Sequence, residues 1–351
     1  MNAMKLFYVD YWEQKGFLQM DTTYAKLTQR QQLAILRPFA HAMLAQFAIQ
    51  PASLRVVNHA FNTTYMVRDT AGQQYALRLN TYSLRDPRGI DAELQWIEAL
   101  SSAGLVSVPT PSKTITGAFA AILDCPPLGK TLYATLARWL PGRIVGARPT
   151  RQQLTQIGCV TALLHQQAKD WRPRDGAYFP RIDSMLMNST DNLTSANDAD
   201  LTPAVRQLLT DATAIVEPVY AQLAQRFPIQ PIHADLHCYN LMWHAGQLSV
   251  FDFDDAGMGW PIQDLAITCY HLRDIDGAEE HVFAGYRSVT AMPAVSSAEF
   301  EALLMARGIV LLNDLIVLPS AEERAFVPEF CRRMELRLRH FLDTGTFQLL
   351  Q

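Results

Sequence analysis

The sequence of 351 residues has no run of lysines and arginines, no Cys-x-x-Cys pair and no long apolar stretch. Nucleic-acid binders need a concentrated positive surface, which a formal net charge of −4 without a basic cluster does not supply. A membrane span needs roughly 18 consecutive apolar residues, and an export signal needs an apolar core followed by a small-residue cleavage site. Neither pattern occurs, so we expect no nucleic-acid or membrane partner and a small polar ligand instead.

Cysteine is scarce as well. The five cysteines are odd in number and far apart, which argues against a disulfide framework and for reduced, buried thiols. This pattern predicts a cytoplasmic protein. The shares of hydrophobic residues, 49%, and charged residues, 18%, are typical of a globular chain, and the length allows two lobes with separate cores.

The most informative stretch runs from Pro231 to Asp264. An apolar strand precedes a His-x-Asp loop, Asn240 follows Asp235 by five residues, and a short hairpin leads to a second strand ending in the acidic sequence 252–255. Asp235 can accept a proton from an attacking hydroxyl, whereas Asn240 and Asp252 supply hard oxygen ligands for Mg²⁺. This order of residues predicts a phosphoryl-transfer site.

A family resemblance rests on these residues. The motif His233-x-Asp235-x4-Asn240 resembles the catalytic loop of the aminoglycoside phosphotransferase / choline kinase superfamily. The segment 252–264, which ends in Asp264-Leu-Ala, resembles its metal loop and the helix that follows. The amino-acid sequence of this segment is especially similar to that of homoserine kinase type II and of the bacterial stress-response kinases.

The resemblance covers roughly residues 52–320 and implies an α+β, protein-kinase-like fold of two lobes. A small N-lobe with an antiparallel sheet would bind the nucleotide, and a mainly helical C-lobe would hold the catalytic and metal loops. One departure is Ala234, where the family usually has Gly. Alanine fits a tight loop there provided that the backbone needs no positive φ.

Three other interpretations of the acidic motif remain open at this point. His233, Asp235 and His237 alternate, so on one strand they would share a face and could bind a transition metal, as in a hydrolase. Asp252 could be the nucleophile of a haloacid-dehalogenase site, although such a strand normally begins its domain and only about a hundred residues follow it here. The acidic residues could also lie in turns without any role in catalysis or binding.

The N-terminal half predicts a helical segment followed by a sheet. Residues 1–50 carry apolar positions mostly three and four apart, which predicts a helical extension that caps the first lobe and ends at Pro51. Residues 51–138 are predicted as the N-lobe, and residues 139–351 as the C-lobe. The N-lobe elements are strands near 54–57, 64–68 and 74–79, a helix over 91–100, and a strand pair at 118–123 and 132–140.

Two features of the predicted N-lobe indicate nucleotide binding. Asn62, Thr63 and Thr64 lie where the resemblance puts the loop nearest the phosphates, although the segment has no Gly-rich signature and equally suits an ordinary polar turn. Arg78 lies in an otherwise apolar strand, and Glu93 on the next helix is a candidate partner. In the kinase scheme such a pair grips the α- and β-phosphates, with Arg in place of Lys; a surface arginine on an edge strand is the simpler alternative.

The segment after the last N-lobe strand resembles the hinge of the superfamily. Backbone groups of Ala137, Arg138 and Trp139 would meet the adenine, and the Trp139 ring would pack near it. Trp139 is equally suited to a plain core position.

The remaining chain predicts helices around one irregular insertion. Thr150 is a good N-cap, a second helix spans about Pro203 to Arg226, and residues 170–200 are loop-rich, as lids and binding loops are. Residues 300–318 predict an apolar hairpin of helices. An amphipathic tail follows, with four arginines predicted to face solvent: Arg332, Arg333, Arg337 and Arg339.

Two polar residues are predicted to support the site without contacting substrate. Family position implies that Asp264 braces the catalytic loop, and a carboxylate suits the first turn of a helix. His165 is interpreted as a structural histidine.

Together these features predict a kinase that uses ATP and Mg²⁺ and phosphorylates a hydroxyl of a small molecule such as homoserine, choline or an aminoglycoside. Asp235, Asn240 and Asp252 are the predicted catalytic residues, and the latter two the metal ligands. The acidic net charge mildly favours a cationic acceptor. The main alternative is phosphorylation of protein Ser/Thr; a metal-dependent hydrolase or a nucleotide-binding module without transfer activity fits these residues less well.

Overall fold

The computed structural model describes Tyr24 and residues 26–59, 62–82, 85–197, 201–317 and 326–350. The chain divides into two compact units. Unit 1 contains the described residues of Met1–Ala103, Val108–Pro141 and Arg174–Tyr178, and unit 2 those of Gly104–Ser107, Gly142–Pro173 and Phe179–Gln351. Within the described ranges no helix combines the length and apolarity that crossing a bilayer requires. Residues 1–23, the first part of the predicted helical extension, lie outside them.

Unit 1 is organised around a five-stranded antiparallel sheet with the strand order β1-β2-β3-β5-β4. The strands are β1 (Pro51–His59), β2 (Thr63–Asp69), β3 (Gln74–Leu79), β4 (Ala120–Cys125) and β5 (Lys130–Arg138). The described part of unit 1 also contains the helices α1 (Gln29–Gln46) and α2 (Pro87–Ala103). Helix α1 ends before the predicted stop at Pro51, which is instead the first residue of β1.

The two faces of this sheet differ in polarity. Tyr65 and Leu77 point from neighbouring strands into a buried core that includes Leu36 of α1. Since side chains alternate along a strand, Thr64 and Arg78 lie on the opposite face, where both are half buried. The sheet therefore separates a hydrophobic core from a polar face.

Unit 2 is mainly helical. Its helices are α3 (Arg151–Ala168), α4 (Pro203–Arg226), α5 (Pro261–Tyr270), α6 (Ala278–Arg287), α7 (Ser297–Leu315) and α8 (Val327–Thr344). Strands β6 (Arg143–Ile144), β8 (Leu241–His244) and β9 (Gln247–Val250) form one small sheet, and β7 (Gln230–Ile232) pairs with β10 (Gly257–Gly259). The predicted α+β class, with an antiparallel sheet first and helices after it, is confirmed.

Helices α3 and α4 of unit 2 begin where capping chemistry predicts. Thr150 Oγ1 accepts a hydrogen bond from Gln153 N while Gln153 Oε1 accepts one from Thr150 N, a reciprocal capping box. Helix α4 begins with a proline after the N-cap Thr202 and ends at Arg226, as predicted.

Helices α3 and α6 approach each other through two glycines. A Cβ atom on Gly158 would lie 1.8 Å from Val282 O, and one on Gly285 would lie 1.9 Å from Thr155 O. No side chain fits at such distances, so these glycines set the spacing of the two helices.

Two expectations for the C-terminal part are wrong. Most of the apolar sequence near 300–318 forms the single helix α7 instead of a hairpin. Helix α7 is buried on nearly all sides and continues through Arg307 and Gly308, which separate the two predicted helices. Arg337 is buried: its Nη1 donates to Tyr270 Oη at 3.2 Å and its Nε to Leu350 O at 3.0 Å.

The cysteines agree with the predicted reduced thiols. Four are buried and Cys159 is half buried, and all five are free. Burial raises the pKa of Cys238 to about 12, so this thiol stays protonated although it lies in the catalytic segment.

Candidate active site

Asp235 lies in the loop between β7 and β8, and its carboxylate is buried. Its Oδ2 accepts a hydrogen bond from Asn240 Nδ2 at 2.8 Å, and the same nitrogen donates to the Asp235 main-chain oxygen at 3.0 Å. Because the amide nitrogen makes both bonds, Oδ1 is the Asn240 atom suited to a cation. The predicted base is thus held by a predicted metal ligand.

A tight hairpin connects the two predicted metal ligands. Leu241 of β8 pairs with Val250 of β9, and Phe251 N donates to Asn240 O at 3.1 Å. Asn240 therefore lies alongside the residue that precedes Asp252. An amide oxygen and a carboxylate are hard donors of the kind that Mg²⁺ prefers, so the donor chemistry fits a magnesium site here.

His233 ties the catalytic loop to the metal loop. Asp235 N donates to its Nδ1 at 3.3 Å, which leaves the proton of a neutral ring on Nε2, and Nε2 lies 3.3 Å from Phe251 O. The ring also packs against Phe253 with 4.6 Å between centroids. These contacts give His233 a structural role.

Asp264 in the first turn of α5 holds the main chain of the catalytic loop. Its Oδ1 accepts from Ala234 N at 2.7 Å, and its Oδ2 accepts from His233 N at 3.2 Å and lies 3.0 Å from His165 Nε2. Burial alone would raise the pKa of Asp264, but the hydrogen bonds from His165 and from the Ala234 N–H hold that pKa below its usual value. The ionised Asp264 carboxylate thus braces the catalytic loop, as predicted, and His165 orients this carboxylate.

Two residues of this region have a left-handed backbone. Ala234 has a φ of 63° and Asp252 a φ of 64°. An L side chain in this conformation costs roughly 1–2 kcal/mol, so surrounding contacts must hold it, and the bond from Ala234 N to Asp264 is one of them. The condition under which alanine was expected to fit this loop easily, a backbone without positive φ at Ala234, is therefore not met.

Asp235 also has a cationic partner that the sequence did not reveal. Arg307 of α7 donates from Nη2 to Asp235 Oδ1 at 2.8 Å, and the two side chains are 2% and 3% exposed. His237 Nε2 lies 3.1 Å from Oδ2, and because Tyr239 N donates to His237 Nδ1, the neutral ring carries its proton on Nε2. His271 packs edge-on against His237. Arg307 is 72 residues away from Asp235 on an apolar helix, so no local pattern points to it.

Residues 179–197 of the loop-rich insertion are fastened to α7. Asn192 N donates to Asn313 Oδ1 at 2.8 Å, and Asn192 Nδ2 donates to Asn313 O at 3.2 Å. The Met187 sulfur lies 4.0 Å from Arg307 Nη1. This stretch therefore forms a tethered wall beside the ion pair.

In unit 1, Arg78 lies on the central strand β3, with Thr64 and Thr135 as its cross-strand neighbours. The alternative of an edge-strand arginine is therefore wrong. Glu93 is buried and pairs with Arg85, a residue that the sequence did not single out. The pairing of Arg78 with Glu93 stays a prediction.

The predicted phosphate loop has one side chain that faces inward. Thr63 Oγ1 lies 2.8 Å from His59 Nδ1, and His59 Nε2 lies 2.9 Å from Gln32 Oε1 on α1. The Thr63 hydroxyl is thus part of a partly buried network that fastens α1 to the sheet. Asn62 is also buried, and Thr64 lies on the polar face beside Arg78.

The predicted adenine contacts use part of their main chain internally. Arg138 N donates to Thr110 O at 2.9 Å, and Trp139 N donates to Gln74 O at 3.1 Å. Carbonyl oxygens keep a second lone pair, so the carbonyls of Ala137, Arg138 and Trp139 suit an adenine better than these two N–H groups. Trp139 is half buried, which does not match a plain core position.

The rival interpretations of the acidic motif do not fit the structure. Strand β7 ends at Ile232, so His233, Asp235 and His237 lie in a loop instead of on one strand face. Among the described residues, no three or more His, Cys, Asp or Glu side chains are grouped to hold a metal. Asp252 follows β9, which is not the first strand of a domain, so the haloacid-dehalogenase interpretation does not fit. Asp235 is buried and ion-paired, so it is not an acidic residue that merely lies in a turn.

The chain is similar to known proteins at the level of family and fold. The model of the "Phosphotransferase enzyme family" matches residues 53–295, more than half of the chain. An uncharacterized protein of Synechocystis sp. is 27% identical over 226 residues, which are 62% of this chain and 59% of that protein. Amicoumacin kinase of Bacillus subtilis (strain 168) is 22% identical over 231 residues, 65% of this chain and 66% of the kinase. The matches thus span less than two thirds of the length of either relative.

Solved structures show the same fold. The microcompartment-associated aminopropanol kinase has a TM-score of 0.72 at 24% identity, with 89% of this chain and 99% of that chain covered. The amicoumacin kinase hAmiN, solved with AMP-PNP, Ca²⁺ and Ami, has a TM-score of 0.62 at 22% identity, with 88% and 96% covered. At these identities the likeness concerns the fold, and it confirms the predicted kinase-like architecture.

Proposed function

Because the chain belongs to the phosphotransferase enzyme family, we propose that it is a kinase that transfers the γ-phosphate of ATP to a hydroxyl of a small molecule. The observation that carries this proposal is the fixed, buried carboxylate of Asp235. Asn240 holds one of its oxygens, Asp264 anchors the main chain of its loop, and the adjoining hairpin ends at Asp252. The kinase names of the relatives support the same activity.

Asp235 would act as the base of the transfer. The acceptor hydroxyl gives its proton to the Asp235 carboxylate as its oxygen bonds to the γ-phosphorus. The bond between that phosphorus and the β–γ bridging oxygen breaks, and ADP leaves. Since the transition state is loose, most of the acceleration comes from positioning and charge neutralisation.

The metal and nucleotide roles follow from the donor chemistry. Asn240 Oδ1 and the Asp252 carboxylate would hold Mg²⁺, which when bound neutralises charge on phosphate oxygens. Arg78, with Thr64 beside it on the polar face of the sheet, would bind nucleotide phosphates.

The activity is tested by Mg²⁺-dependent ADP formation with a panel of small alcohols and a generic protein substrate. Stimulation by at least one small alcohol is expected. Label on protein and no stimulation by any alcohol would favour the protein-kinase alternative, and no ADP under any condition would overturn the proposal.

Asp252→Ala tests the metal site separately. We expect this variant to bind Mg·ATP at least about 10-fold more weakly, because a hydrogen bond or ligand contact to a charged group contributes about 1.5–3 kcal/mol. Its affinity for ATP in EDTA serves as the internal control and is expected to stay at the wild-type value. An unchanged Mg·ATP affinity would remove Asp252 from the metal site.

A further inference from the structure

Helix α1 carries one buried polar side chain, that of Gln32. The structure describes this helix over its whole length, and its other buried residues are apolar: Leu36, Ala40, Met43 and Leu44. Burying an amide costs free energy unless its hydrogen bonds are satisfied. The role of Gln32 therefore depends on its partners, whereas the other residues of this face pack the helix against the sheet.

The partners of Gln32 determine which nitrogen of His59 carries the proton. Gln32 Nε2 donates to Tyr24 O at 3.1 Å, which orients the amide, and Gln32 Oε1 accepts from Tyr82 Oη at 2.9 Å. His59 Nε2 lies 2.9 Å from the same Oε1. Burial lowers the pKa of His59 to about 4, so the ring is neutral at neutral pH. Because an amide oxygen has no proton to donate, the ring carries its proton on Nε2, and Nδ1 is an acceptor.

The hydrogen bonds continue from His59 to the residues after β3. Thr63 Oγ1 lies 2.8 Å from His59 Nδ1, so the Thr63 hydroxyl donates to the ring. The Thr63 oxygen then accepts from Thr81 Oγ1 at 2.5 Å, and both threonines are fully buried. A directed chain of hydrogen bonds thus runs from Thr81 through Thr63 and His59 to Gln32; these four side chains form the Gln32 relay.

The Gln32 relay lies next to the residues proposed to bind nucleotide phosphates. Across β2 and β3, Thr63 pairs with Leu79 and Thr64 pairs with Arg78. Because side chains alternate along a strand, Thr63 points towards the core, while Thr64 and Arg78 point to the polar face of the sheet. A shift of Thr63 would therefore also move Thr64 relative to Arg78.

Resting on the proposed kinase activity, we infer that Gln32 and His59 are positioning residues for the nucleotide, which act through Thr63 on residues 62–64. This segment has no glycine-rich signature, so side-chain hydrogen bonds from a neighbouring helix hold it in place of a tight glycine turn. A satisfied buried network favours one arrangement of the groups that it connects. Helix α1 is thereby a determinant of the affinity for the phosphates of ATP.

Equilibrium binding of Mg·ATP and of adenosine to the 351-residue chain tests the inference. We expect Gln32→Leu to weaken Mg·ATP binding roughly 3- to 10-fold, the factor that corresponds to one neutral hydrogen bond, and to leave adenosine binding within about 2-fold of wild type. Adenosine has no phosphates, so a general loosening of unit 1 would weaken the binding of both ligands equally. Equal weakening, or an unchanged Mg·ATP affinity, would overturn the inference.

Gln46→Leu is the matched control on the same helix. Gln46 also fastens α1 to the sheet, because its Nε2 donates to Ile122 O at 3.0 Å and its Oε1 accepts from Ile122 N at 3.4 Å. Ile122 lies on the edge strand β4, which is separated from β2 by β3 and β5. This variant should keep the wild-type ratio of the two affinities, and a ratio altered as much as in Gln32→Leu would contradict the inference.

Two variants of Thr81 test the other end of the Gln32 relay, and they decide the question if Gln32→Leu does not fold. Thr81→Val keeps the shape of the side chain without its hydroxyl and should weaken Mg·ATP binding selectively. Thr81→Ser keeps the hydroxyl and should restore the ratio of affinities to within about 2-fold of wild type. Equal ratios in the two variants would contradict the relay. A wild-type protein that binds no Mg·ATP would refute the proposed function itself, whereas wild-type ratios in all variants would refute the inference alone.

Discussion

Ala234 has a backbone conformation that normally favours glycine. Its backbone φ of 63° lies in the left-handed region, yet its methyl group is fully buried beside Ile182, Ile232 and Ile267. The strain of roughly 1–2 kcal/mol is therefore opposed by burial of one methyl group, roughly 0.8 kcal/mol, and by the lower entropy of alanine in the unfolded chain, roughly 0.4–1 kcal/mol. These contributions nearly cancel.

Ala234→Gly is accordingly expected to change the free energy of unfolding by less than about 1 kcal/mol. Ala245 in the β8–β9 turn is a matched control, because its φ is also positive, 47°, but its side chain is exposed. Without a buried methyl to lose, Ala245→Gly should be more stabilising than Ala234→Gly by roughly 0.8 kcal/mol. Chemical denaturation measures both, and a loss above about 2 kcal/mol for Ala234→Gly would contradict the strain at this position.

His59 predicts a pH dependence of stability. Burial lowers the pKa of His59 from 6.5 to about 4, so between these pH values the unfolded chain binds a proton that the folded chain does not. The neutral His59 ring makes its full contribution to the free energy of unfolding above pH 6.5, and this contribution is lost as the pH falls towards 4. We expect Tm to decrease from pH 7 to pH 5, and His59→Asn to flatten this decrease.

The control for His59→Asn is His41→Asn on α1, which removes a histidine that is exposed in the folded protein. The same substitution at this exposed position tests whether replacing a histidine by asparagine alters the pH dependence of Tm by itself. A His59→Asn variant with the same pH dependence as wild type would show that other groups cause it.

At the residue scale, the sequence predicts what lies close together along the chain. Asp235, Asn240 and Asp252 fall within one loop and one hairpin, so their spacing is sufficient to group them. Arg307 joins them from a distant helix whose sequence pattern is that of a core element, and only the packing of the helix brings it there. Arg85 was missed for a related reason, since its pairing with Glu93 depends on how a loop folds back on α2.

At the scale of the elements, the contact between α3 and α6 depends on Gly158 and Gly285. Gly158→Ala is expected to destabilise the protein by about 1–3 kcal/mol, because the new methyl group would overlap the main chain of α6. Gly308→Ala in α7 is the control: its Cβ would meet two methionine methyl groups at 3.4 Å and Tyr270 Cε2 at 3.5 Å, which are side-chain atoms at ordinary contact distance, and alanine favours a helix by up to about 1 kcal/mol. If thermal unfolding showed the two variants to be equally stable, the close approach of the helices would be refuted.

Helix boundaries were predictable where a side chain caps the helix. Thr150 and Thr202 bind main-chain N–H groups three residues ahead, and these local bonds leave a sequence signal. The continuity of α7 left no such signal, because a helix buried on all sides has no polar face from which to judge its length. The burial of Arg337 was not predictable from the sequence either, because its partners Tyr270 and Leu350 come from other parts of unit 2.

At the scale of the whole molecule, the family and the order of sheet and helices followed from one short motif. The identity of the acceptor did not, because the net charge of −4 describes the surface average and not the buried surroundings of Asp235. The sequence favoured a cationic acceptor on that average. Within the site, the guanidinium of Arg307 lies beside Asp235, where no local sequence pattern pointed to a cation.

The central claim is that Asp235 is the base of a phosphoryl transfer, and Asp235→Asn tests it most directly. Since the substitution leaves the Arg307 guanidinium without its carboxylate, circular dichroism must first establish that the variant is folded at the assay temperature. The measurement is ADP formation with the best acceptor, together with Mg·ATP affinity on the same preparation. We predict a fall in kcat of about 10²- to 10⁴-fold with Mg·ATP affinity within about 2-fold of wild type. Retained transfer, or the joint loss of transfer and nucleotide binding in a folded variant, would contradict the role of Asp235 as the base.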